Sequence, residues 1–187
     1  MRGTMKKNTW IRKAALTLSC CSSFFGVARS ETLEVGQPAP VFGLTAHDGA
    51  QVDLIDRKGR GWTVLYFYPK ADTPGCTKQA CAFRDRIQTI RDKNAEVYGI
   101  STDSVADLAK FHKKYRLNFP LLSDPDASVT ERYGVKMPLL RLSKRWTFII
   151  DQDLIVRGID KDVDPARDAD LVAQKIQALS DEGHASP

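Results

Sequence analysis

Outside its first thirty residues this 187-residue chain carries two cysteines, Cys76 and Cys81. They sit in the run Pro69-Lys70-Ala71-Asp72-Thr73-Pro74-Gly75-Cys76-Thr77-Lys78-Gln79-Ala80-Cys81. An apolar strand pattern ends just before it, at Tyr68. The Pro and Gly then turn the chain, and an amphipathic helical pattern begins at Cys76. A cysteine is thereby delivered onto the first turn of a helix. Backbone N–H groups there lack intrahelical partners, and the helix dipole adds partial positive charge. Such a place favours the thiolate, which is the reactive form of cysteine.

The five-residue spacing also carries chemistry. Along an α-helix, five residues advance about 7.5 Å and rotate about 140°, which leaves the two Cα atoms roughly 8–9 Å apart on different faces. A disulfide wants its Cα atoms within about 7 Å. A static bridge is therefore a poor reading of this pair. A bridge that forms only when the helix locally unwinds suits a redox cycle.

Other residues could assist. Thr73 lies one turn before Cys76, within side-chain reach of the sulfur and of a ligand beside it. Pro69 and Pro74 fit turn and helix-start preferences. Arg145 opens the apolar strand Arg145-Trp146-Thr147-Phe148-Ile149-Ile150 and can bring positive charge, although Lys144 and Arg141 compete for that role. His47, His112 and His184 have no metal-ligand spacing relative to the cysteines and read as surface residues. The chain has neither Cys-x-x-Cys nor a glycine-rich phosphate loop.

The elements that must hold these groups alternate along the chain. Val41 to Leu44 and Val52 to Leu54 flank the turn signal Asp48-Gly49 and read as a hairpin. Trp62 to Tyr68 is a near-continuous apolar run, as in a strand covered on both faces. From Cys76 to Asp92 the apolar positions Ala80, Phe83, Ile87 and Ile90 recur at helical spacing. Glu96 to Ser101 reads as the next strand. Ser104 caps a helix with Asp107 as its capping-box partner, and Leu108, Phe111 and Tyr115 face inward. A short strand at Phe119 to Leu122 and a short helix from Ala127 to Tyr133, stopped by Gly134, follow. Two strands, Trp146 to Ile150 and Leu154 to Ile159, meet at the turn Asp151-Gln152-Asp153. An amphipathic helix, Asp168 to Leu179, closes the chain. The pattern predicts an α/β fold with a central β-sheet flanked by helices.

Residues 1–30 read as a cleaved signal peptide, and residues 31–187 as one domain. The leader has a basic start to Lys13, an apolar stretch from Ala14 to Val27, and small residues at Ala28 and Ser30 before a cut at Glu31. Gly26 and Ala28 offer a second register. An uncleaved anchor and an organellar transit peptide are the lesser alternatives. The apolar stretch is short of the roughly 20 residues that span a bilayer, so no stable membrane insertion is expected after cleavage. Cys20 and Cys21 read as apolar filler within it, since Thr17 stands where lipid attachment prefers Leu. The formal charge of +5 belongs to this leader. Its six basic residues (Arg2, Lys6, Lys7, Arg12, Lys13, Arg29) face no acid, and the remainder is near neutral. Nothing in it suggests a nucleic-acid partner.

The run from Tyr66 to Thr77 resembles the active-site segment of peroxiredoxins. Cys81, followed by Phe83-Arg84-Asp85, resembles the peroxiredoxin Q branch, also called bacterioferritin comigratory protein. Similar segments are Gly99-Ile100-Ser101-Thr102-Asp103-Ser104, Phe119-Pro120-Leu121-Leu122-Ser123-Asp124, Tyr133-Gly134-Val135 and Arg145-Trp146-Thr147-Phe148. The resemblance covers roughly Leu33 to Leu179. The resemblance implies a thioredoxin-like fold with an N-terminal β-hairpin extension, and a thiol peroxidase needing no metal or organic cofactor. It implies that Cys76 is the peroxidatic nucleophile and Cys81 the resolving thiol, joined transiently by a disulfide. Thr73 would hydrogen-bond thiolate and peroxide, Arg145 would supply positive charge to both, and Pro69 would shield the pocket.

Two departures from the branch stand out: Gln79 where Glu is usual, and an atypical stretch from Lys136 to Lys144. With the leader, the expectation is an exported, periplasmic, monomeric enzyme. It would take hydrogen peroxide and organic hydroperoxides, and be recycled by thioredoxin or an exported thioredoxin-like dithiol. The rival readings are an exported thiol–disulfide oxidoreductase, which would want Cys-x-x-Cys, and a copper-binding module, which would want a histidine near both thiols.

Overall fold

Six consecutive residues, Trp62–Phe67, form the central strand β3 in the computed structural model, which describes residue 1 and residues 33–184. The signal-peptide reading, with its cut before Glu31, lies outside the described residues. β3 pairs in parallel with β4 (Ala95–Ser101) and antiparallel with β6 (Trp146–Ile150). Its side chains alternate between two cores, as a strand's period of two requires. Val64, Tyr66 and Tyr68 enter one, and Leu65 and Phe67 the other.

Among the described residues the sheet has seven strands, in the order β2-β1-β5-β4-β3-β6-β7. β1 (Gly43–Ala46) and β2 (Gln51–Asp53) form the hairpin, and β5 (Leu121–Ser123) joins it to the parallel part. β7 (Val156–Asp160) closes the other edge against β6, with a register shift at Ile149/Ile150. This is the α/β architecture expected from the sequence. The hairpin begins about two residues later than its apolar pattern suggested, because β1 is placed by pairing Thr45 with Ser123 and Ala46 with Leu122.

Helices α1 (Pro74–Arg91), α2 (Val105–Tyr115) and α4 (Asp168–His184) contribute to the first core. The short α3 (Ser128–Arg132) lies with the second. α1 forms because Pro74 opens it, where its missing N–H costs nothing, and because Ala80, Phe83, Ile87 and Ile90 make one buried stripe. Ser104 caps α2 by accepting from Asp107 N at 3.2 Å, while its hydroxyl donates to Asp107 Oδ2 at 2.7 Å. The acidic partner therefore binds the capping hydroxyl, a variation on the usual reach to the cap's backbone N–H. α4 runs past Leu179 by more than a turn. Among the described residues no helix is long and apolar enough to cross a membrane.

His47 and His112 depart from the surface reading. Their rings stack on each other, with centroids 3.6 Å apart. Both are half-buried, and burial lowers the pKa of each. The contact joins the hairpin end to α2, a long-range meeting that residue spacing does not reveal.

Tyr66 depends on a glycine in the neighbouring strand. A Cβ on Gly99 would stand 2.6 Å from Tyr66 Cζ and hydroxyl and 2.9 Å from Leu121 Cδ2. Both neighbours are fully buried and have nowhere to move. We expect Gly99→Ala to lose about 1–3 kcal/mol of stability through overpacking, read as a lower urea midpoint. An unchanged midpoint would show that the tyrosine can be displaced freely.

Candidate active site

The loop from Pro69 to Thr73 links the end of β3 to α1 and is tied down at several points. Ser143 Oγ donates to the Tyr68 carbonyl at 2.7 Å. Ala71 N donates to Asp103 Oδ2 at 2.8 Å, and Lys70 pairs with Asp103 Oδ1 at 3.5 Å. Asp72 has a left-handed backbone, φ 60°, which an aspartate tolerates better than most residues. Its carboxylate accepts from Lys114 Nζ at 2.7 Å and from Tyr115 Oη at 2.7 Å. Those two donors hold its pKa below the ordinary value. The start of α1 is thus pinned to the end of α2.

Thr73 then takes an extended conformation at the N-cap position. Its hydroxyl donates to the Lys70 carbonyl at 2.9 Å, in contrast to the direct bond to sulfur implied by the resemblance. With its proton engaged there, the oxygen offers lone pairs and so can accept from a ligand. Pro69 is half-buried beside this turn.

Cys76 is the third residue of α1 and is 1 % exposed. Buried polarisable sulfur has few water partners, so its polar contacts must come from the protein. Arg145 supplies one: its Nη2 donates to Cys76 Sγ at 3.3 Å. The same guanidinium donates through Nη1 to Gln79 Oε1 at 2.5 Å. Gln79 sits three residues after Cys76 on the same helical face and is fully buried. Its amide nitrogen donates to Asp168 Oδ2 at 2.6 Å, and Thr147 Oγ1 donates to that oxygen at 2.8 Å. Burial raises the Asp168 pKa to about 6, against the lowering pull of the Gln79 and Thr147 hydrogen bonds. The walls are aromatic: Tyr66 stacks on Tyr68 at 5.4 Å and on Phe83 at 4.7 Å. Burial pushes both phenol pKa values upward, so the hydroxyls stay neutral.

Strand parity selects Arg145 over its rivals. Thr147 and Ile149 of β6 face the helices, whereas Phe148 and Ile150 face the other core. Residue 145 shares the parity of Thr147 and meets Cys76. Lys144 lies over the Trp146 ring at 5.2 Å, and Arg141 is exposed with its carbonyl bound to Thr102 Oγ1. Asp168, Thr147 and the Asp72 clamp were not picked out as site residues from sequence. Gln79 stood out only as a departure from the resembling family. The i,i+3 spacing to Cys76 and the parity with Arg145 are the signals that mark Gln79 and Thr147. Asp168 carries no comparable local signal.

Cys81 is half-buried one and a half turns along α1, beside Ala82, Asp85 and Ala169. Both thiols are free, and the helix between them is continuous. Thr73, Cys76 and Arg145 therefore gather at the helix start, while Cys81 stands apart from them.

Residues 35–159 match the AhpC/TSA family. A Bcp peroxiredoxin of Coxiella burnetii is 44% identical over 134 residues, covering 68% of this chain and 88% of that protein. Peroxiredoxin Bcp of Escherichia coli is 40% identical over 146 residues, covering 75% and 93%. Among solved structures, peroxidoxin BcpB of Mycobacterium tuberculosis superposes with a TM-score of 0.75. It is 37% identical and covers 79% of this chain and 98% of its own.

Gly75 leaves the space that the guanidinium uses, since a Cβ there would lie 3.1 Å from Arg145 Nη2. We expect Gly75→Ala to shift that group and weaken its contact with sulfur. A loss of about 1 kcal/mol in one hydrogen bond corresponds to roughly fivefold slower reaction of Cys76 with a small electrophile. Alkylation kinetics by mass spectrometry would read it, with the far-UV spectrum unchanged.

Proposed function

This chain belongs to the AhpC/TSA family, as a thiol-dependent peroxidase of the peroxiredoxin Q and Bcp branch, and we propose that Cys76 is its peroxidatic nucleophile. The observation that carries this assignment is the guanidinium of Arg145 donating to a buried sulfur at a helix start. The deprotonated sulfur attacks one oxygen of the O–O bond in line. The S–O bond forms as the O–O bond breaks, and the leaving oxygen takes a proton to depart as water or an alcohol. Negative charge grows on that leaving oxygen, where fixed positive donors lower the barrier. Arg145 and the N–H groups of the first turn are those donors. Thr73 Oγ accepts from the peroxide O–H, its own proton being held by Lys70. Pro69 covers the pocket.

The product is a Cys76 sulfenic acid. Cys81 is the resolving thiol: its sulfur attacks the sulfenic sulfur, the S–O bond breaks, and water leaves as the Cys76–Cys81 disulfide forms. The continuous helix between them has to open for this step. A thioredoxin-type dithiol then reduces the disulfide and is itself oxidised. The leader supports export to the periplasm, where the donor is an exported thioredoxin-like protein and the enzyme acts as a monomer. Disulfide exchange with protein substrates is the less favoured reading, because the two thiols stand on different faces of one helix rather than in its first turn.

Stopped-flow tryptophan fluorescence of the reduced protein mixed with hydrogen peroxide, followed by mass spectrometry, tests the cycle. The wild type should oxidise rapidly and end with a Cys76–Cys81 link. Cys76→Ser should show no oxidation, and full activity in that variant would sink the assignment. Cys81→Ser should oxidise once and stop at the sulfenic acid. Arg145→Met should slow the first step by about 10²–10³-fold, the scale of losing a preorganised donor.

A further inference from the structure

While Arg145 aims Nη2 at the sulfur, its other terminal nitrogen is also held. That nitrogen is held by Gln79, whose amide can face either way: an oxygen toward Arg145 accepts, and an NH2 toward it would clash donor against donor. The group that decides between them lies on α4, in a part of the chain remote from the cysteine. Asp168 Oδ2 accepts from Gln79 Nε2 at 2.6 Å and from Thr147 Oγ1 at 2.8 Å. Asp168 is 0 % exposed, and its Oδ1 has no hydrogen-bond partner among the described residues. A carboxylate buried this way costs stability without an ion pair of its own.

We propose that Asp168 is a positioning residue for peroxide reduction, acting through Gln79 to fix Arg145 on the sulfur of Cys76. The chain of hydrogen bonds runs in one direction. Asp168 can only accept when ionised, so Gln79 must turn its NH2 to it and its oxygen to Arg145. Arg145 can only donate, so it must be met by that oxygen. Thr147 reinforces the acceptor end from the same strand face as Arg145. The net positive charge of Arg145 is balanced across a neutral amide rather than by direct contact, which leaves more of its field at the sulfur than an adjoining carboxylate would. A second carboxylate cannot stand at position 79 while Asp168 is ionised, because the two would meet at the 2.6 Å contact now made by the amide.

The inference rests on Cys76 being the peroxidatic cysteine, and the test separates the two. The second-order rate constant for oxidation by hydrogen peroxide is measured by stopped flow from pH 5 to 8. Four proteins are compared: wild type, Asp168→Asn, Gln79→Glu/Asp168→Asn, and Asp168→Ala. Asp168→Asn should be about tenfold slower, because the introduced amide can offer NH2 to Gln79 and turn that side chain the wrong way. The double variant should recover to within about threefold of wild type. There the amide nitrogen introduced at position 168 can donate both to the carboxylate introduced at position 79 and to Thr147. That carboxylate accepts from Arg145, so the relay is rebuilt with its polarity reversed.

The ratio of the wild-type rate to the Asp168→Asn rate should also fall as pH drops through about 6, the pKa to which burial raises Asp168. The groups facing Asp168 are Arg145, Gln79 and Thr147, with Asp160 from β7 and the neutral Tyr66 from β3. The Asp168→Asn variant keeps all five, and the ratio therefore cancels what they share with the wild type. A merely structural carboxylate would change thermal stability in both single variants but would not be rescued by a carboxylate at position 79. An Asp168→Asn protein as fast as wild type, a double variant no faster than Asp168→Asn, or a ratio flat across pH 6 would overturn the inference. Wild-type protein inert to peroxide would instead overturn the peroxidatic assignment itself.

Discussion

To bring Nη2 of Arg145 within 3.3 Å of Cys76 Sγ, β6 must lie antiparallel beside β3 with Thr147 opposite Tyr66. A slip of one residue would turn every β6 side chain to the other face and carry Arg145 away from the helix start. The register is secured by burial on both sides: Phe148 and Ile150 fill one core, while Thr147 and Ile149 serve the other. The position of the charged group is therefore a consequence of how two apolar layers are filled. It does not depend on the flexible reach of a long side chain. The same parity brings Thr147 to Asp168, so one strand face supplies both the guanidinium and the far end of the network that holds it.

In the proposed cycle the helix start faces two opposing demands. Donors must be fixed around the sulfur to help break an O–O bond, which favours a complete and well-packed first turn. Joining the two cysteines demands that this turn come apart. α1 meets the first demand with Pro74 at its opening, Gly75 making room for the guanidinium, and Cys76 and Gln79 sealed against the sheet. For the second, the residues between the thiols are small or polar, and Cys81 is only half-buried. The large anchors Phe83, Ile87 and Ile90 begin beyond Cys81. Opening the first turn and a half therefore leaves the main helix–sheet packing intact.

Much of the fold was legible because its signals are local. The apolar run at β3, the helical stripe of α1 and the Ser104 cap all come from neighbouring residues. The cysteine-bearing helix start was legible for the same reason. What escaped were meetings between distant segments. Asp168 reaches Gln79 across 89 positions, His47 finds His112, and Asp72 is clamped by Lys114 and Tyr115. No pattern along the chain encodes those contacts, since they follow from which strands neighbour which. Thr73 shows a further limit: its place near the cysteine could be inferred from spacing, whereas its hydroxyl proton goes to Lys70 because the turn puts a carbonyl within reach.

The clamp on Asp72 gives the segment between it and Phe83 the character of a tether with two fixed ends. One end is tied to α2 by Lys114 and Tyr115, and the other is set in the aromatic stack with Tyr66. Ten residues lie between, so whatever chain unwinding releases stays bounded at both ends. Whichever thiol moves, it searches a confined volume around the same partner. Refolding starts from ends already in place. The entropic cost of closing a loop between the thiols is thereby kept low, which suits the proposed cycle of joining and parting.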